Sequence, residues 1–447
     1  MLLTVSAYKL LMQPFNLNKQ MKQFLSYIIF LCCISNYAVA QQNNSPYSII
    51  GIGDIEKSYF DRTSGMGHAG MALSSNRFLY NANPAANAAL DLHYFTMEVS
   101  ARFKDVNYAG RPITSSTQNN SSDVQFRKML LGIKPKSYWA TTLGIMPFST
   151  AKYSMFGQKS ILGTPSTATT YYQGEGGVNN IFLTNSFRID SNFSVGVQAS
   201  YLFGHLNETE SVLGSVGDSS LTSTRYITIY NPYFKFGAQY KTHRRKKWNY
   251  AVGITGSYQT KLNADYSLLV TDGNTTLRSD YVYKSTFFTL PVMYGVGVAA
   301  ILNDKLTFAA DYNYEGWSSL NYKGISYSLV NSNKFALGFE YAKKNAYRDL
   351  SGNTVASVER NFLQVGAFYR TSYLRINGYQ IDEVGGTLGG GFNLYFLNGS
   401  SVGINAALEI GRRGTTENGL IRENFTQLTI SFSYRDFWRS RKLVRYD

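Results

Sequence analysis

From His93 onward the chain is dominated by alternation. Over Phe193–Phe203 the odd positions are apolar or aromatic and the even positions small or polar, apart from Leu202. Successive side chains of a strand point to opposite faces, so such a segment has one greasy face and one wet face. The same period runs through Leu428, Ile430, Phe432 and Tyr434, with Thr429, Ser431 and Ser433 between them, and through Val402, Ile404, Ala406, Leu408 and Ile410. About fourteen such segments lie between 93–107 and 424–435, one per roughly 25 residues. A soluble sandwich signals a turn about every 8–12 residues. The wider spacing here predicts long, tilted strands. In the segment 305–317, Leu306, Phe308, Ala310, Tyr312 and Tyr314 fall on the greasy face, and Thr307, Asp311 and Asn313 on the wet one.

The connections alternate too. Asp190-Ser191-Asn192, His243–Lys246, Asn303-Asp304 and Asn398-Gly399-Ser400 read as tight turns, while Asn207–Thr224, Leu262–Tyr283 and Asn377–Gly385 read as long polar loops. Transmembrane barrels place short turns on the periplasmic side and longer loops outside. Lys344–Glu359 departs from this rule and reads as an insertion. Gly174-Glu175-Gly176-Gly177, a superficial phosphate-loop lookalike with no helix after it, reads as a turn between strands. The fold class expected is all-β: a transmembrane antiparallel β-barrel of about fourteen strands. Residues 93–435 form the barrel and 436–447 a basic aromatic tail, and 41–92, the least strand-like stretch, come before the barrel.

The N-terminus sets the compartment. Met21 and Lys22 precede the apolar run Phe24–Cys33, and Ala38-Val39-Ala40 precedes Gln41. This is the layout of a secretory signal peptide, so residues 1–40 are read as the leader, with Met21 as the true start. The run is too short to span ~30 Å of hydrocarbon. An exported chain can still cross a membrane with strands, because a closed barrel satisfies every backbone group.

Composition adds exclusions. Both cysteines, Cys32 and Cys33, lie in the leader, which leaves the mature chain no disulfide or thiolate site. His68, His93, His205 and His243 show no ligand spacing and are read as packing or solvated residues, so neither metal nor cofactor is expected. No catalytic motif accompanies them, and an enzyme is not expected. The formal charge of +15 includes three leader lysines. In an exported protein this charge points to anionic outer-membrane lipid and lipopolysaccharide, not to nucleic acid.

Directly before the first strand come Ser45-Pro46-Tyr47-Ser48, Gly51-Ile52-Gly53-Asp54, Gly65-Met66-Gly67-His68-Ala69-Gly70-Met71-Ala72 and Asn81-Ala82-Asn83-Pro84-Ala85. Leu408–Gly414 and a tryptophan-containing tail close the chain. In this order the motifs resemble the FadL/TodX (OMPP1) outer-membrane transport family, in its Bacteroidetes-type branch. The resemblance implies that residues 41–92 form a luminal hatch or plug carrying an Asn-Pro-Ala element inside a fourteen-stranded barrel, here with Gly65, Gly67, Gly70, Asn83, Pro84 and Ala85 as hatch residues. It implies passive uptake of hydrophobic small molecules, fatty acids being the type ligand, with exit through a gap made by an inward kink in the third strand.

Here that strand reads Gly144-Ile145-Met146-Pro147-Phe148. Pro147 lacks a ladder N–H, and a proline within a barrel strand belongs at a bulge or a broken ladder. These five residues are the expected ligand route. The alternative expectation is a FadL-like barrel that docks an outer-membrane or secreted protein partner in a secretion or surface-assembly system. A filled lumen with an extended loop surface favours the second reading; an apolar lumen with a wall gap favours the first.

Overall fold

A computed structural model describes residues 45–110, 119–160, 163, 165–212, 221–242, 247–278, 283–324, 326–348, 354–396 and 399–437. The leader and the tail beyond 437 lie outside these residues.

Fourteen antiparallel strands close into a barrel. They are β1 Tyr94–Gly110, β2 Asn120–Lys136, β3 Trp139–Thr150 (continued by Tyr153–Ser160), β4 Thr167–Arg188, β5 Phe193–Val212, β6 Leu221–Lys241, and β7 Trp248–Ser257 (continued by Thr260–Asp272). Then follow β8 Met293–Leu302 (preceded by Tyr283–Leu290), β9 Leu306–Glu315, β10 Ser332–Arg348, β11 Thr354–Ile376, β12 Tyr379–Tyr395, β13 Ser401–Arg413 and β14 Ile421–Phe437. Each pairs with its sequence neighbour, and β14 closes the ring on β1 in a ladder from Tyr94↔Phe437 to Gly110↔Ile421. Closure removes the sheet edges that lipid would otherwise leave unsatisfied.

The alternation sorts side chains as expected. Leu143, Ile181, Tyr201, Val298, Phe308, Leu337, Leu363 and Leu388 are exposed on the outer wall. Asp311, Glu340, Glu409, Gln427 and Ser431 are buried inside it.

Four readings of the connections are corrected. Asn207–Thr224 and Leu262–Tyr283 are largely strand: β5 runs to Val212, β6 starts at Leu221, and the continuation of β7 reaches Asp272. Above the bilayer both strand faces are wet, so the apolar period vanishes while the ladder persists. Gly174–Gly177 lies within β4, with Gly176 and Gly177 at positive φ where β4 meets both β3 and β5. Asn377–Gly385 shrinks to a two-residue Asn377-Gly378 turn, both at positive φ, as a hairpin twist demands.

Residues 45–92, the luminal segment, carry only short 3₁₀ turns and the two-residue strand Asp54–Ile55. Most of the segment is buried against inward-facing residues of the barrel. Its first part joins an apolar cluster with Leu202, Ile227, Phe288, Leu290, Trp317 and Tyr373.

Candidate functional site

The luminal segment is held by backbone approach and by buried polar contacts. Where it touches the wall, the wall is glycine. A Cβ on Gly366 would lie 2.2 Å from the Gly67 nitrogen, and one on Gly237 2.1 Å from Asn83 Oδ1. Gly196 and Gly253 sit equally tight against Pro84 and the Met71 carbonyl. Removing side chains from these inward positions lets main chain lie directly on main chain.

Each expected hatch residue has a defined place. Gly65 faces Gly389, with their Cα atoms too close for a side chain. Gly67 takes a left-handed φ of 63° and donates its N–H to Thr387 Oγ1 at 2.8 Å. Gly70 and Met71 N–H groups both donate to Asp311 Oδ2, at 2.8 and 2.9 Å. Asn83, fully buried, donates from Nδ2 to the carbonyls of Met71 and Ala238, each at 3.0 Å, and accepts the Ala85 N–H. The Pro84 carbonyl accepts Ser186 Oγ at 2.6 Å, and the Ala85 carbonyl accepts Ser194 Oγ at 3.2 Å.

Charged pairs reinforce these contacts. Arg62 bridges Glu340 on β10, with bonds of 2.7 and 2.8 Å, and Glu359 on β11, at 2.5 and 3.1 Å. Its guanidinium stacks over Phe362 at 3.9 Å. His68, read from sequence as a packing residue, instead places Nε2 2.8 Å from Glu409, which also accepts Gln427 Nε2. Glu98 accepts the Leu79 N–H and Lys128 Nζ. Asp54 takes a two-pronged bond from Arg413. Burial pushes the Asp54 carboxyl up, but Arg413, aided by Arg370, outweighs it and brings it down to about 2.

Little open space remains inside. One luminal cavity, of about 110 Å³, is ringed by charge, including Glu56, Arg102, Arg127, Lys152, Arg370 and Arg413. A second, of about 160 Å³, lies beside Met146, Pro147 and Phe148, with Tyr59, Asn81, Lys235 and Glu315 also on its wall. A third, of about 450 Å³, opens where the tight turns lie and is also polar, between Arg62, Arg77, Arg188 and Lys241.

The seam between β2 and β3 is incomplete. Their ladder runs from Lys136↔Trp139 to Met129↔Ile145 and stops there. On the other edge, the register of β3 with β4 shifts between Pro147 and Ser149. Beyond that point β3 takes the luminal segment as its neighbour. Asp54 and Ile55 pair with Thr150 and Ser149, the Glu56 N–H reaches the Phe148 carbonyl, and Ser45 and Ser48 bond to Lys152.

The five expected route residues divide across the wall. Ile145 is exposed on the outer face. Gly144 faces inward, filled over by Leu130 and Phe182. Met146 packs beside Leu130 and Phe182, and Phe148 meets Tyr233 edge-on at 5.8 Å. The sequence offered no single signal for Arg62, Asp311, Glu340 or Glu409. The three carboxylates were marked only by a charge on the wet side of an apolar period, Arg62 by nothing, and partners more than 200 residues away are invisible to local pattern.

The barrel is similar in fold to several solved structures. A FadL homologue of Pseudomonas aeruginosa superposes with a TM-score of 0.56 at 16% identity, covering 87% of this chain and all of that one. The toluene transporter TodX of Pseudomonas putida gives 0.53 at 15%, covering 87% and 98%. The monoaromatic hydrocarbon channel CymD gives 0.52 at 14%, covering 88% and 98%. At such identities the likeness is one of fold, and it marks an integral outer-membrane barrel. No curated protein matches the chain. The family model for BamG matches residues 21–444, nearly the whole sequence, and the chain therefore belongs to the BamG family.

Proposed function

We propose that this protein is an interaction component of the outer membrane: a FadL-type barrel closed by its own N-terminal segment, which docks protein partners in a secretion or surface-assembly system. The observation that carries this reading is the filled lumen. Sites for drug-sized ligands are mostly apolar and about 300–1,000 Å³. Two of the luminal spaces here, about 110 and 160 Å³, fall below that range, and the third, about 450 Å³, is polar; all three are lined by charged residues. Each strand-borne group that grips residues 45–92 would lose a partner if the segment left, and a buried carboxylate without its arginine is costly. The family match agrees with a role set apart from the hydrocarbon channels whose fold it shares.

A second reading rests on the open seam. Hydrophobic molecules such as long-chain fatty acids would bind beside Met146–Phe148 and leave sideways where the β2–β3 ladder stops. One pair of measurements separates the two. The docking reading expects the protein, extracted from native outer membranes in mild detergent, to migrate well above its own 50.1 kDa, and reconstituted protein to bind no fluorescent fatty acid. Stoichiometric fatty-acid binding, abolished by a cysteine pair tying β2 to β3, would replace docking with transport. In either reading residues 1–40 direct export, and lipid and lipopolysaccharide surround the wall.

A further inference from the structure

The inward face of β2 carries a buried cation that the described residues leave without a hydrogen bond. Along β2 the outward positions Val124, Phe126, Met129 and Leu131 are exposed. Between Phe126 and Met129 the alternation slips, and Arg127 and Lys128 are both buried. The ladder gives the reason. Ser100 of β1 pairs with Lys128 and Ala101 with Phe126, so Arg127 is an extra residue with no partner across the seam. Such a bulge re-aims a side chain, and bulges gather beside functional sites.

The two cations fare differently. Lys128 donates to Glu98 at 2.9 Å. Arg127, 3% exposed, makes no hydrogen bond among the described residues, and its buried Nε has no partner. Its ion pair is with Glu56 Oε2, at 3.9 Å too long for a hydrogen bond. That carboxylate is already taken. Oε2 accepts Arg102 Nη1 at 3.2 Å, and Oε1 accepts the N–H groups of Lys57 and Ser58, each at 3.0 Å. A guanidinium has five donors, and leaving them unmade in a buried place is costly.

The surroundings favour a negatively charged guest. Arg102 and Arg127 meet at Glu56, and each guanidinium lies 5.7 Å from the centre of the Phe60 ring. Lys104 follows two residues after Arg102 on the same inward face of β1, with Nζ 5.2 Å from the Phe425 ring. All three cations border the luminal cavity of about 110 Å³. Eight lysine and arginine side chains line that cavity against six carboxylates. Three of the six are held by Arg413, Arg370 and His68. Water would satisfy donors but would not balance the excess of cations. The space matches the liquid volume of about four waters, and a tetrahedral oxyanion carries four oxygens. Guanidinium forks bind such oxygens two at a time.

We infer that this cavity binds one phosphate- or sulfate-type oxyanion, held by Arg127 together with Arg102 and Lys104. A free ion and the phosphate of a lipid head group share this chemistry. The inference stands apart from the choice between docking and transport.

The test uses the full-length protein, exported in cells, purified in mild detergent and washed into Tris chloride. Equilibrium dialysis with radiolabelled inorganic phosphate should show one site per chain, displaced by sulfate. Arg127→Met should weaken binding at least tenfold, Arg127→Lys should restore part of it, and Lys305→Met, on an exposed turn, should leave it unchanged. Without phosphate, the thermal midpoint of Arg127→Met should equal or exceed that of the parent protein, because a buried unpaired charge is gone. Phosphate should raise the midpoint of the parent only. Arg127-dependent displacement by dihexanoyl phosphatidic acid, at a concentration at least tenfold below that needed with unlabelled phosphate, supports the site with a lipid source. Weaker displacement supports it with the free ion. Binding that survives Arg127→Met would put the anion elsewhere and overturn the proposal. So would no binding of phosphate, sulfate or phosphatidic acid, or Arg127-dependent binding of a fatty acid alone. A midpoint lowered equally by Arg127→Met with and without phosphate would make Arg127 a structural partner of Glu56 and overturn it as well.

Discussion

The two halves of the luminal segment are held by different physics. Residues 45–60 combine an apolar cluster, in which Tyr47, Ile52 and Ile55 meet Leu202, Ile227 and Trp317, with ion pairs of Asp54 to Arg413 and of Lys57 to Glu315. Residues 61–90 meet it through buried charge and through backbone laid on glycine, with Arg62, His68, Asn83 and the Asp311 acceptor at the centre. Apolar contact is non-directional and survives small shifts. A charged or backbone hydrogen bond tolerates neither rotation nor removal of its partner. The second half, laid main chain on main chain against wall glycines, should therefore fix the register of the segment more tightly than the first.

The sharpest way to break this contrast is Arg62→Met. It keeps the apolar stem but leaves Glu340 and Glu359 without their cation, a cost of about 3–5 kcal/mol. Amides of 61–90 should lose hydrogen-exchange protection, and the thermal midpoint in detergent should fall. Unchanged protection would mean that the glycine-backed contacts suffice alone. Next, Asn83→Ala strands the Met71 and Ala238 carbonyls and should cost about 1–3 kcal/mol, read as faster exchange around 71–85.

Ile52→Leu, in the apolar cluster of the first half, conserves volume and should cost under about 1.5 kcal/mol. If its exchange profile matches that of Asn83→Ala, the two halves are not distinct. The smallest effect expected is that of pH on the Asp54–Arg413 latch. The folded pKa of Asp54 lies below its ordinary 3.8, so its contribution is present above that value and lost as pH falls through about 2. Exchange near 54 should be flat from pH 7 to about 4, after correction for the intrinsic rate, and rise below. A rise already at pH 6 would assign the latch to another group.

A second contrast lies in the wall. Around most of the barrel, period-2 alternation and uninterrupted ladders coincide. At Pro147 they separate: Leu143 and Ile145 keep facing outward, but the ladder to β2 has ended and the luminal segment has taken its place. A strand can keep its pleat while changing its neighbour, which is why the side-chain pattern predicts facing better than it predicts pairing.

Alternation, strand spacing and the export signal together predicted a closed barrel of about fourteen strands, and alternation told which residues line its two faces, because the bilayer imposes one period on every strand that crosses it. Where the bilayer ended, the sequence lost its hold. The outer stretches 207–212 and 262–272 read as loops but are strand, since water on both faces leaves no apolar period to read. Tertiary structure alone decided that Arg62 would meet Glu340 and Glu359, that Asp311 would hold Gly70 and Met71, and that wall glycines would stand where main chain arrives. Those partners lie hundreds of positions apart, and only closure of the ring brings them within bonding distance.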